Sequence, residues 1–400
     1  MENLHKNLIE FLYNVLKDLA NGNSPEKVAK SSRDFLTKTY LKENLVASGA
    51  ELGFSINNSC NLRCKHCYYP NTHENEKPLE INALSSDEWH KLTLETIDAG
   101  FKHISIVGKE PFLVPEKLQA ILDAVKIKED EGIKGLQPEI LTNGILLPEN
   151  INWLSKYNLH FLSVSFDGFK EDHDKIRGEG NYEKAKLGLE SASKAGIKNL
   201  AITFTAMPHN VDSLDKMLKD LAKNGARYAS IGFCFDTNFN QKDLKASTEL
   251  FYKVIDKLKD TPKEFIDISL NLIGDEHGEI IAKLYKDGFF DNRKLAVTED
   301  LAPSLIVPLF ESPRTYINVG LLPTMFLSGY RVDYDGKAMD FCADIQQKCP
   351  KGFGNIKKSN VTDLYLLAKE KYWPKYSEDF YKRFSDAFKG NKLSQIKPSY

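Results

Sequence analysis

Residues 52–67 read Leu-Gly-Phe-Ser-Ile-Asn-Asn-Ser-Cys-Asn-Leu-Arg-Cys-Lys-His-Cys, an alternating strand that runs straight into three cysteines. Leu52, Phe54 and Ile56 share one parity and Gly53, Ser55 and Asn57 the other, and side chains of opposite parity point to opposite faces of a strand. Cys60, Cys64 and Cys67 then fall on the loop after it. Three thiolates on one loop can each ligate an iron of a cubane [4Fe–4S] cluster, whose usual complement is four cysteines. The missing fourth ligand leaves one iron open, and an open position is what catalysis at a metal requires. The competing reading is a structural zinc site completed by His66 or His73. Zinc sites usually pair two C-x₂-C halves across a longer spacer, a pattern this chain lacks.

Outward from this stretch a strand–helix rhythm appears. Apolar, strand-like runs occupy 52–57, 103–107, 138–143, 160–166, 198–206 and 228–235. Amphipathic segments with clear punctuation separate them. Ser85 and Glu88 predict a capping box for a helix ending at Ala99-Gly100, Asn181 a cap for one closing at Gly196, and Asn210 one closing at Gly225. Six βα units in sequence imply a parallel sheet with right-handed crossovers. Six is too few for a closed eight-stranded barrel, so a curved partial barrel is expected. The apolar parity must lie under the crossover helices. The small and polar parity (Ser105, Ser163, Ser165, Thr203, Thr205, Ser230, Cys234) then lines an inner lumen. A filled barrel carries bulky branched residues inside, whereas a hydroxyl-lined lumen suits a bound cofactor and substrate.

The flanks read differently. Leu8, Phe11, Leu12, Val15, Leu16 and Leu19 recur at helical spacing until Asn21-Gly22, and Ser24-Pro25 restarts a helix. Residues 1–50 are therefore an N-terminal helical segment, and 51–260 the partial barrel. A helix near 247–259 and a strand at Phe265–Leu270 lead into 261–330, an insertion or connector. Residues 331–400 form a small α+β extension, opened by a hairpin through Asp335-Gly336 and closed by helices. The chain has 400 residues, 42% of them apolar and 28% charged, with a net charge of −2. That balance gives no electrostatic footprint for nucleic acid or an anionic membrane. No apolar run approaches the ~18 residues of a membrane span, and the N-terminus does not read as a signal peptide, so a cytoplasmic chain is expected. Six cysteines in such a chain point to metal or redox use rather than disulfides.

Cys60-x₃-Cys64-x₂-Cys67 followed by Tyr68, at the end of the first strand of a βα chain, resembles the radical S-adenosylmethionine (SAM) superfamily. The resemblance covers residues 52–236 and implies a partial (βα)6 radical SAM barrel. In that family the open iron binds the amino and carboxylate groups of SAM. An electron then splits SAM into methionine and a 5′-deoxyadenosyl radical, which abstracts a substrate hydrogen. The resemblance places Tyr68 near the adenine. Gly108-Lys109-Glu110-Pro111 is similar to the Gly-Gly-Glu-Pro element that receives the SAM amino group, with Lys109 in place of the second glycine. Thr142-Asn143-Gly144 and Ser165-Phe166-Asp167-Gly168 match further family elements. By the same resemblance Ser165 contacts SAM and Arg177 pairs with its carboxylate. Each element is common taken singly. Their coincidence at four successive strand ends, the rim where α/β proteins bind ligands, carries the resemblance.

Asp335-Gly336, Cys342, Cys349-Pro350 and Gly354-Asn355-Ile356 resemble the start of a SPASM/twitch extension, which carries auxiliary iron–sulfur clusters. A full SPASM domain has seven cysteines, so ligand count leaves at most one auxiliary cluster, on Cys234, Cys342 and Cys349. The alternative is that Cys342 and Cys349 pack in a degenerate extension. Parity points Cys234 into the lumen, where it could also pass a hydrogen atom to a substrate radical, or pack. The implied enzyme modifies a ribosomal peptide, or oxidises or rearranges a small sugar- or cyclitol-like molecule, with an electron donor such as flavodoxin or ferredoxin. The contrasting class is a non-enzymatic zinc- or cluster-binding module.

Overall fold

The computed structural model describes residues 2–40, 50–67, 82–234, 246–291, 294–298, 303–311, 313–324, 326–339 and 352–390. Two helices come first, α1 (Glu2–Ala20) and α2 (Pro25–Tyr40). Leu8, Leu12, Val15, Leu16 and Leu19 of α1 are all buried, as their helical spacing demands. The strand–helix units follow: β1 (Glu51–Ser55), α3 (Ser86–Asp98), β2 (His103–Val107), α4 (Pro115–Asp130), β3 (Gln137–Thr142), α5 (Leu147–Leu154) and β4 (Phe161–Ser165). Next come α6 (Glu171–Arg177), α7 (Asn181–Lys194), β5 (Leu200–Ala206), α8 (Leu214–Lys223) and β6 (Tyr228–Phe233). Strands β1 to β6 lie side by side in chain order, each parallel to the next. The apolar parity is sealed under the helices: Leu52, Phe54, Ile106, Ile140, Leu162, Val164, Ile202 and Ile231 have no exposed surface.

The sheet does not stop at six strands. After α9 (Thr248–Leu258), β7 (Asp267–Ile273) pairs parallel to β6. Beyond α10 (Gly278–Lys286), β8 (Ala296–Val297), β9 (Leu305–Phe310) and β10 (Arg314–Gly320) complete that edge, with β10 parallel to β7 and β9 antiparallel to both its neighbours. At the other edge β11 (Gly329–Asp333) runs parallel to β1, followed by antiparallel β12 (Lys337–Met339) and β13 (Gly354–Asn355). Among the described residues the sheet has thirteen strands. Residues 267–273 and 314–320 join it because they repeat the two-faced pattern. Ile268, Leu270, Leu272, Ile317 and Val319 are buried, while Ser269, Asn271, Tyr316 and Asn318 alternate with them.

Local signals resolve in different ways. The capping box forms, with Glu88 N donating to Ser85 Oγ at 3.2 Å and Ser85 N to Glu88 Oε2 at 2.8 Å. Asn181 does not cap α7. Gly180 takes the cap position, and the capping acceptor is the Asp174 carboxylate, which receives Gly180 N and Tyr182 N at 2.8 Å each. Asn210 turns back instead, its Oδ1 accepting Met207 N at 2.8 Å just after β5.

The last two helices, α11 (Val361–Leu367) and α12 (Trp373–Phe388), close the fold. Ser32 of α2 meets Tyr381 of α12 through a 2.7 Å hydroxyl contact, so the two ends of the chain pack together. Arg383 of α12 forms a buried ion pair with Asp275 beside α10. No helix among the described residues is long and apolar enough to cross a membrane.

Candidate active site

The cysteine loop leaves β1 and is tied down from three sides. Asn57 Nδ2 donates to Glu110 O at 2.8 Å, Glu110 N to Ser59 O at 3.2 Å, and Lys109 Nζ to Asn58 O at 2.5 Å. From the far side Lys65 N donates to Ile176 O at 2.9 Å, joining the loop to the end of α6. Lys109, the departure from a double glycine, thus braces the backbone just before Cys60. Gly108 is a different matter. It sits at φ +112°, and a Cβ there would lie 2.5 Å from Ser55 Oγ, so only glycine fits.

Glu110 is fully buried and knits the ends of β2 and β3. Its Oε1 accepts Thr142 Oγ1 at 2.8 Å and Phe112 N at 3.1 Å, and its Oε2 accepts Asn143 N at 2.8 Å. Burial pushes its carboxyl up to about 7 against the pull of those three donors. Asn143 Nδ2 also donates to Asn61 Oδ1 at 2.7 Å, inside the cysteine motif. A Glu110→Gln change places an amide N–H₂ against one of these N–H donors, leaving a buried donor unpaired. It should cost about 1–3 kcal/mol, measurable by denaturant unfolding. Unchanged stability would show that the carboxylate's acceptors are dispensable.

At the end of β4, Asp167 forms a second knot. Arg177 Nε donates to Oδ2 at 2.5 Å, His66 Nε2 lies 3.2 Å from the same oxygen, and Thr205 N donates to Oδ1 at 3.0 Å. Burial alone would raise the Asp167 carboxyl, but Arg177, His66 and the Thr205 N–H outweigh it and hold the group near 2. Asp167 N donates to His173 Nδ1 at 3.3 Å, and burial pushes that imidazole down to about 4, so it stands neutral as an acceptor.

Between these knots lies a cavity of ≈320 Å³. Cys60, Cys64 and Cys67 line it from β1's loop, Gly108, Lys109 and Asn143 from the ends of β2 and β3, and Ser165, Arg177, Thr203, Thr205 and Cys234 from β4 to β6. Glu110 and Asp167 are buried as supports, and Pro111 opens the short turn behind Glu110. Tyr68, His73, Cys342 and Cys349 lie outside the described residues. Thr203 and Thr205 were visible as lumen residues through parity alone. In sequence His66 reads only as a zinc ligand and Asn61 carries no signal, because their roles depend on Asp167 and Asn143, remote along the chain. A second cavity, of ≈400 Å³, shares Leu141 and Thr203 with the first and reaches Glu51, Glu139 and Asp267 at the strands' opening ends. The hydroxyl-lined lumen therefore runs deep into the sheet.

Burial raises the thiols of Cys60, Cys64 (to about 11) and Cys234 (to about 12), while Arg177 works against it at Cys64. Without metal these groups are uncharged, and ligation must displace their protons. No three His, Cys, Asp or Glu side chains among the described residues converge on a point fit for one ion. Three thiols that each take a different iron have no need to converge. The donor set therefore fits a polynuclear cluster.

Comparison with known proteins agrees with this geometry. Residues 54–221 match the model of the radical SAM superfamily. That segment is a radical SAM domain, and enzymes built on this domain use a [4Fe–4S] cluster and SAM. A probable GTP 3′,8-cyclase of Methanococcus maripaludis strain C5 is 33% identical over 180 residues, 45% of this chain and 57% of the relative. Its counterpart in strain C7 is 27% identical over 256 residues, 64% of this chain and 75% of the relative. The chain thus spans little more than half the length of the first of these. Among solved structures, anSMEcpe with bound AdoMet and the Cp18Cys peptide superposes with a TM-score of 0.52 at 16% identity, covering 81% of each chain. Streptococcus suis SuiB bound to the precursor peptide SuiA gives 0.55 at 14% identity, over 86% of this chain and 70% of that one. At such identities the likeness is one of fold.

Proposed function

We propose that Cys60, Cys64 and Cys67 hold a [4Fe–4S] cluster with one open iron, and that the chain cleaves SAM reductively to take a hydrogen atom from a substrate in the lumen. The observation that carries this is the single cavity shared by all three thiols and the polar ends of β2 to β6. When bound, cluster and SAM supply a 5′-deoxyadenosyl radical. The chain's own residues prepare the seat. Gly108 lets the turn after β2 pack closely on Ser55 of β1, Glu110 and Pro111 hold that turn, and Asn143 and Ser165 offer polar groups from the facing strand ends. An electron donor such as flavodoxin or ferredoxin completes the reaction.

The substrate is a peptide or a polyhydroxylated small molecule. Serine and threonine hydroxyls along the lumen can pair with amides or alcohols. Glu51, Glu139 and Asp267 line its far end, where Asp267 is already paired with Arg314 and Glu139 lies beside His103 and His160. Cys234 faces the same cavity, and its raised pKa keeps it as S–H at neutral pH, the form that can pass a hydrogen atom to a substrate radical. If it instead joins Cys342 and Cys349 on an auxiliary cluster, iron rises from about four to about eight per chain.

Protein reconstituted without oxygen should release 5′-deoxyadenosine from SAM under dithionite, with deuterium transfer from a labelled candidate peptide or polyol. Zinc in place of iron, or no 5′-deoxyadenosine above the protein-free control, would overturn the reading in favour of a binding module.

A further inference from the structure

Arg177 stands between the two halves of the site. Its Nε is committed to Asp167 Oδ2 at 2.5 Å, and its Nη1 points at Cys64 Sγ at 4.0 Å. The side chain is 12% exposed and Asp167 has no exposed surface, so water screens the pair poorly. Asp167 is itself fixed by Thr205 N at 3.0 Å and by His66 Nε2 at 3.2 Å. The helix end that carries Arg177 is pinned to the cysteine loop through Lys65 N and Ile176 O. Every contact aims the guanidinium at the sulfur and along the buried carboxylate.

We propose that Arg177, positioned by Asp167, is a donor to the Cys64 sulfur that sets the reduction potential of the cluster, and is not the clamp for the SAM carboxylate. The inference rests on the cluster assignment above. Reducing a thiolate-bound cluster adds negative charge to its sulfurs. Donors and cations beside those sulfurs favour the reduced form and raise the potential. Asp167 carries the opposite charge, but it binds the guanidinium at Nε, and Nη1 is the group that faces the sulfur. The pair therefore presents a net positive face to the sulfur. Its second consequence concerns SAM. A guanidinium already holding one buried carboxylate gains less from a second, so SAM must rely chiefly on the strand-end groups.

The test is an EPR-monitored redox titration of reconstituted holoenzyme without SAM, paired with equilibrium SAM binding, for wild type, Arg177→Gln and Arg177→Lys. Arg177→Gln should shift the one-electron equilibrium about tenfold toward the oxidised cluster, about 59 mV, with SAM affinity changed less than about twofold. Arg177→Lys keeps the charge without the fork and should recover part of the shift. It also carries the test if the Gln variant loses its cluster. An unchanged potential in the variants overturns the proposal. So does a tenfold loss of SAM affinity, which would return Arg177 to the carboxylate. A wild-type preparation with no [4Fe–4S] signal would instead sink the cluster assignment before any variant is compared.

Discussion

Replacing Cys64 by Ala should strip the iron from anaerobically reconstituted protein, from about four to under about one per chain, and bring 5′-deoxyadenosine formation down to the protein-free background. The loop has no spare thiol to offer, and its imidazole, His66, is engaged with Asp167 at 3.2 Å. Cys60 and Cys67 alone leave two corners of a cube open, and the one further thiol lining the cavity among the described residues is Cys234, just after β6. Folding should survive. Cys64 is partly exposed on a loop, and Ala there opens no gap in the core. Circular dichroism and the unfolding midpoint of the metal-free protein should match the wild type. That contrast makes the result specific: a folded, colourless protein that no longer cleaves SAM. A Cys64→Ala protein that keeps both its iron and its cleavage activity would show that the cluster sits elsewhere.

Much of this site could be read from residue order, for a physical reason. Strand parity is a local property, so Ser165, Thr203, Thr205 and Cys234 announce a polar face wherever the sheet puts them. The three cysteines sit on one loop, so their proximity needs no tertiary knowledge. Two kinds of information were out of reach. One was the extent of the sheet. The strand expected at Phe265–Leu270 forms at 267–273, but nothing local showed that it joins the sheet, and 314–320 lies where the strand–helix rhythm of the first six units breaks down. The other was the buried wiring. Asp167 looks in sequence like part of a common Asp-Gly turn. Only the fold brings Arg177, His66 and Thr205 onto its two oxygens. Asn181 failed as a cap for the same reason, because Asp174, seven residues upstream, reached the helix start first.

The second large effect comes from a residue with no chemistry at all. Gly188 lies inside α7, where a glycine-to-alanine change ordinarily stabilises a helix by roughly 0.5–1 kcal/mol. Here the sign should reverse. A Cβ at Gly188 would sit 2.0 Å from Gly144 O and 3.0 Å from Gly144 C, both rigid backbone. Gly144 cannot retreat easily. It stands at φ +83°, and the space on its other side is taken, since a Cβ of its own would meet Val164 Cγ1 at 2.6 Å. Helix and turn were built to touch. Gly188→Ala should therefore cost about 3 kcal/mol or more net, at the upper end for overpacking. The damage should not stay local. The displaced turn includes Asn143, whose N–H holds Glu110 and whose side chain holds Asn61 between Cys60 and Cys64. Iron retention after gel filtration should fall along with the unfolding midpoint, although Gly188 touches none of the three cysteines. If the variant instead melts higher than wild type and keeps its iron, helix propensity has won. The tight seat of α7 against the Asn143-Gly144 turn would then play no part in holding the cysteine loop.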